Sequence, residues 1–304
     1  MKYIKFSIYF IITITFFYLI MNLNKSIELV SYTLVSFFNT LFPYLLIFLI
    51  INQLLIKTKI IYFISSLLEP ILYKFFKINS KEIALILISI LNGFPSSMIY
   101  GEIMIKEKEL TYNQVKRIAP IFFIPSITFI FYIIKAQLLP LHFYVLIISL
   151  YTPLLIILFL SKKESNSKYI GKSIVKEIKN SFSNFNYILV LKEIIINSFQ
   201  NIINILGMIT FYSLITIMIP FPFIKGLFEF SMPTLEILNS QYSTLIKTFL
   251  ILIILVFSSF SSLSQASIYI ETTKIKFKYF IKKRITMLFL SLLIFNLILF
   301  LYPL

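Results

Sequence analysis

The sequence predicts an all-α polytopic membrane protein made of two pseudo-repeats, each with three transmembrane helices and one broken helical segment. Mean hydropathy is +0.93, and 59% of the 304 residues are apolar against 13% charged, more apolar surface than a soluble domain can bury. The apolar runs are continuous and approach the ~20 residues that cross a bilayer as helix, whereas a β-barrel needs strict alternation. The only two arginines close matching tripeptides, Lys116-Arg117-Ile118 and Lys283-Arg284-Ile285. Each follows an apolar run, a Ser-rich break, an Ile-Tyr-x-Glu (ending at Glu102 and Glu271) and a lysine-rich stretch. The offset between the arginines also pairs Ser31 with Ser198, each at the head of an earlier apolar segment. Repeated broken segments in an apolar chain are the sequence pointer to a transporter core.

The first half covers residues 1–135. Residues 4–23 read as an uncleaved first crossing, since no small-x-small site follows. A second crossing spans 35–55, with Pro43 as a kink. Residues 57–82, with five lysines, form an amphipathic interfacial stretch. The apolar segment 83–105 is broken at Asn92-Gly93-Phe94-Pro95-Ser96-Ser97, where glycine and proline stop a helix and two hydroxyls follow. A charged connector, 106–117, leads to a crossing over 118–134 that has Pro120 and Pro125 near its start.

The second half, 136–304, repeats the order. Residues 143–160 cross, and 161–192 form a basic polar loop with seven lysines. A crossing over 195–219 ends at Pro220-Phe221-Pro222, and 223–241 is a loop with a short helix. The broken segment 245–273 is interrupted at Ser258-Ser259-Phe260-Ser261-Ser262-Leu263-Ser264-Gln265. A connector and a last crossing over 285–300 complete the chain. Folding back or traversing at the breaks gives equally lopsided lysine distributions, so charge alone leaves both topologies open.

The net charge of +16 belongs to lysines between apolar runs, within reach of lipid headgroups rather than nucleic acid. There is no cysteine, and His142 is the one histidine; no metal, cofactor or enzyme constellation is expected. Irregular backbone at membrane depth must be buried or line a wet cavity. The candidate solute site is therefore Asn92, Gly93, Pro95, Ser96 and Ser97 together with Ser261, Ser262, Ser264 and Gln265. Packing of small residues is the plainer alternative. Glu102 and Glu271 are candidate coupling groups or interfacial charges, and Arg117 and Arg284 candidate partners for them or for a solute carboxylate.

The order of these residues resembles the YlbJ-like sporulation integral membrane proteins, with their nucleoside-recognition or Gate domain. Gly93-Phe94-Pro95 and Arg117 match that family's first break and connector; Phe260 to Gln265, Glu271-Thr272 and Arg284 match its second. The resemblance spans about residues 30–300. It departs where the family's glycine pair is Ser261-Ser262, where a histidine near Gln265 is missing, and where a polar stretch after Arg117 reads Phe122-Phe123-Ile124-Pro125-Ser126. It implies a role in endospore formation, transport of dipicolinate, and inverted repeats with re-entrant hairpins similar to concentrative nucleoside transporters. The expected partners are the lipid bilayer and a small polar or anionic solute moved by alternating access, in a cell membrane or forespore membrane. The alternatives are a nucleoside-type carrier and a non-transporting membrane scaffold acting through the 161–192 loop.

Overall fold

A computed structural model describes residues 13–171 and 187–302, apart from the side chains of Tyr187 and Glu271. The described chain is helical, without strands, and five stretches are long and apolar enough to cross a membrane: Leu23–Lys57, Pro140–Glu164, Ile188–Ile215, Thr244–Ile270 and Phe277–Leu301. Lipid leaves no water to satisfy backbone groups, so helices of this composition are the stable solution.

A helix α1 over 13–21 bends sharply at Asn22 into α2 (Leu23–Ser36); the Ser26 hydroxyl reaches the Leu19 carbonyl seven residues back. A wide turn at Phe37–Leu41 joins α2 to α3 (Phe42–Lys57). Pro43 sits in the first turn of α3, where its missing N–H disturbs least. The second crossing is thus longer than 35–55, and its irregularity is a π-turn rather than a proline kink.

Helix α4 (Ile60–Phe76) meets the 106–117 connector at both ends. Tyr62 donates to Glu109 at 2.7 Å, and the Lys77 carbonyl accepts from Arg117 at 3.0 Å. Ile61, Ser65 and Glu69 make its buried stripe at four-residue spacing. Helices α5 (Ser80–Asn92) and α6 (Ser96–Lys106) pack against each other. At 1.5 Å per residue they run ~20 and ~16 Å, short of a ~30 Å hydrocarbon layer. Helix α5 opens with a capping box, Asn79 and Glu82 each bonding the other's backbone N–H. The second carboxylate oxygen of Glu82 takes Arg117 of α7 (Tyr112–Ile118) at 2.7 Å, both side chains buried. The chain therefore returns beside where α5 began.

The 118–134 segment is not the helix expected. After α7 the backbone turns and then runs without helical bonding through residue 126 before a π-turn at Phe129–Ile134. Pro120 and Pro125 each lack an N–H, so each removes a backbone bond that a continuing helix needs, and Ala119 is left as the C-cap of α7, still helical at φ −59° and ψ −40°. Every residue from 117 to 126 is buried, so protein rather than lipid surrounds this irregular backbone.

Helix α8 (Pro140–Leu160) leads into a loop that is not freely solvated throughout. The buried Glu69 carboxylate accepts the backbone N–H groups of Ile170 (2.8 Å) and Gly171 (2.9 Å), and Ser165 donates to the Lys77 carbonyl. Residues 165–171 are thereby fastened to α4; the rest of the predicted basic loop, up to 186, lies outside the described residues.

Helix α9 (Tyr187–Ile215) packs on α2 and α3. Short helices α10 (Pro222–Phe228) and α11 (Ser231–Asn239) precede α12 (Thr244–Phe257), α13 (Phe260–Thr273) and α14 (Phe277–Leu301). The second break differs from the first. Helices α12 and α13 do not pack along one another: α12 lies against α8 and α14, while α13 leaves to pack on α6. The two connectors touch. Lys274 lies over the Tyr112 ring at 4.4 Å and Lys116 over the Tyr279 ring at 5.0 Å. An inverted pair of repeats would hold them at opposite ends of the molecule. Here the first break folds back and the second bends onward, so the matched sequence blocks do not make matched hairpins.

Candidate functional site

Three unwound segments meet at the centre of the molecule. The first is the turn Gly93-Phe94-Pro95. Gly93 has φ +73°, and a Cβ there would stand 2.2 Å from the Ser126 nitrogen, so only glycine fits. The second is 119–126, whose free carbonyls are used by the two breaks. Ser97 donates to the Ala119 carbonyl at 2.9 Å, and Ser258 to the Phe123 carbonyl at 3.4 Å. The third is Ser258-Ser259, both left-handed at φ 74° and 43°. Arg284 holds this break: buried in α14, it donates to the Val256 carbonyl and to Ser258 Oγ, with its guanidinium 5.8 Å from the Phe123 ring centre. A cation on the last carbonyls of α12 also complements the negative end of that helix.

Two cavities adjoin this junction. The wider, a cleft of about 810 Å³, runs between α3, α6, α9 and α13. Its walls carry Asn197, Gln200, Asn201 and Asn204 from α9, spaced three, four and seven residues apart and so on one helix face. Gln53, Tyr100 and Tyr269 complete its polar lining, Gln53 donating to the Tyr100 hydroxyl at 3.3 Å. The smaller, a chamber of about 70 Å³, is lined by Tyr44, Ser126, Glu229, Ser231, Ser261 and Ser262 among others. Asn92, Phe94 and Gln265 border both spaces and stand between them. Among the described residues no lysine or arginine lines either cavity.

The predicted site residues divide on this geometry. Asn92 is at the centre, accepting from Asn52 at 2.8 Å. Pro95 and Ser96 face the cleft, Ser261 and Ser262 the chamber, and Gln265 both. Gly93 shapes the turn without lining either cavity. Ser97 is buried and spent on the Ala119 carbonyl. Ser264 is exposed, donating to the Ser261 carbonyl and accepting from Tyr212, and lines neither space.

The paired charges also separate. Arg117 is held at the connector, its Nη2 donating to Glu82 and to the Lys77 carbonyl. Glu102 pairs with Lys106 at 3.0 Å, also at the connector; burial pushes its carboxyl up, but Lys106 and Thr272 outweigh that and leave it lowered. Arg284 reaches the second break, whereas the Glu271 side chain lies outside the described residues. Sequence reading missed Glu229, the one carboxylate lining the chamber, and the α9 amides. A helical-period count of Asn and Gln over 195–219 would have found the latter.

This architecture belongs to a multi-pass helical membrane protein with a polar cleft at a junction of unwound segments. No protein-family model, curated protein or solved structure matches the chain.

Proposed function

We propose that the protein is a carrier for a small polar solute, bound in the amide-lined cleft beside Asn92 and Gln265 and passed on by alternating access. The observation that carries this is the row of four α9 amides facing a cleft of about 810 Å³. An amide on a lipid-facing helix surface goes unsatisfied at a cost of several kcal/mol; four on one face, turned to a cavity, belong where water and solute meet them. Helices α6 and α13 begin at the breaks, and Ser96, the first residue of α6, and Ser261, the second of α13, border the cavities, adding partial positive charge.

Neutral donors and acceptors with two tyrosines suit an uncharged, oxygen-rich, ring-bearing solute of nucleoside type. A second reading, the dipicolinate dianion that the family resemblance implies, is favoured by those two helix N-termini, but it finds no cationic side chain on the walls. Uptake of labelled uridine and of dipicolinate into proteoliposomes tests both. The expected result is saturable uridine uptake that falls at least tenfold in Asn92→Ala and Asn201→Leu. Saturable dipicolinate uptake without uridine uptake moves the assignment to the dianion, and no flux of either overturns the carrier.

A further inference from the structure

Glu229 is the buried acid the carrier reading leaves without a task. It sits between α10 and α11, 4% exposed. One carboxylate oxygen accepts the Ser231 N–H at 2.8 Å and its hydroxyl; the other accepts the Met232 N–H at 3.0 Å. These bonds cap α11, yet a structural cap has no need of a cavity, and this one borders the chamber behind Asn92, Phe94 and Gln265.

The surroundings supply no positive charge. From α3 comes Tyr44, from the first break Asn92 and Phe94, and from the unwound stretch Ser126. Helix α9 offers only apolar groups, Ile205, Met208 and Ile209, and α13 offers Ser261, Ser262 and Gln265. The nearest like charge is Glu236 on α11, engaged with Lys225 of α10 at 3.4 Å. Lys247 of α12 is spent on the Leu238 carbonyl. A carboxylate taken out of water with no cation beside it favours its protonated form.

We propose that the chamber is the coupling site of the carrier, where Glu229 binds a proton that moves with the solute. The reaction is simple addition: one proton from the aqueous cleft joins a carboxylate oxygen, the charge is neutralised, and the same proton leaves on the opposite side after the conformational switch. Burial raises the Glu229 carboxyl above the ordinary range, with the Ser231 and Met232 bonds opposing. The raised value means the acid form persists to higher pH than for a solvated glutamate. Asn92 and Gln265, touching both cavities, link occupancy of the cleft to the state of the chamber.

This rests on the carrier reading, and the tests separate the two. Infrared titration of the purified full-length protein should show a buried protonated carboxyl persisting to higher pH than a solvated glutamate's, a band that disappears in Glu229→Gln; an unchanged band in that variant overturns the proposal whatever the solute. In proteoliposomes a one-unit pH gradient should drive up to about tenfold uridine accumulation per coupled proton, and Glu229→Gln should abolish the response to the gradient. Glu102→Gln on the connector should keep it. Glu229→Asp, which retains a titratable group, should restore gradient-driven uptake if Glu229→Gln folds poorly. Equal gradient response in wild type and Glu229→Gln, or a response to a sodium gradient alone, sinks the proton site while leaving the carrier standing.

Discussion

Arg117 and Arg284 open the same way in sequence and end in different work. Arg117 neutralises Glu82, both side chains being almost fully buried. Removing one partner of such a pair strands a charge and costs roughly 3–5 kcal/mol, while replacing both with apolar groups is often near neutral. Arg117→Ala should therefore lower the thermal midpoint in detergent sharply, and Glu82→Leu with Arg117→Met should recover most of the loss. Additive losses in the double variant would show that the pair does not act as a unit. Arg284 meets only neutral acceptors among the described residues, the Val256 carbonyl, Ser258 and Met287. Its loss leaves those acceptors bare, a cost of about 1–3 kcal/mol. The two arginines were legible as special because they are the only ones in a lysine-rich chain. Their partners were not, since Glu82 lies 35 residues away and nothing local in the sequence joins them.

At the scale of elements, both breaks were readable, because Gly93-Phe94-Pro95 and the serine run stop a helix by chemistry that acts within a few residues. The fate of the chain after each break was not. Gly93 permits a fold-back because its missing Cβ lets the Ser126 backbone approach. Gly93→Ala should abolish a monodisperse folded species in size-exclusion chromatography. Gly207→Ala, with open space around the position, should leave the elution profile unchanged. A well-folded Gly93→Ala would contradict the packing of the first break on 119–126. The unwound segment 119–126 is hidden in the sequence because Pro120 and Pro125 sit in an otherwise apolar stretch that reads as the start of a crossing. The α9 amides are obscure for a related reason, since scattered Asn and Gln in an Ile-rich helix look like compositional bias until their period is counted.

For the whole molecule, the two connectors in contact change what charge says about orientation. With them on one face, together with both ends of α4 and the residues after α8, all described lysines but Lys25, Lys135, Lys225 and Lys247 gather at that end. The positive-inside rule then predicts that this face is the cytoplasmic one. Gln53, Ile103, Asn197 and Tyr269 line the cleft about one turn from the charged residues Lys57, Lys106, Glu193 and Lys274, so the cleft opens to that side. Single cysteines introduced at Lys108 and Lys278 in this cysteine-free chain should react with an impermeant maleimide only in inside-out vesicles. Cysteines at Lys135 and Lys225 should react only in right-side-out ones. Labelling of 108 and 278 from opposite sides would restore the inverted arrangement.

A crown of ammonium groups around neutral walls separates attraction from retention. On the carrier reading proposed above, anions of every kind are drawn toward the charged face by a field that decays over about 8–10 Å in physiological salt, but no cationic side chain among the described residues lines the cleft or the chamber to hold their charge. Potassium chloride should therefore slow the inner-side arrival of an anionic competitor and leave that of a neutral sugar-bearing one untouched, and the contrast separates a doorway that sorts by electrostatics from a seat that sorts by hydrogen bonds.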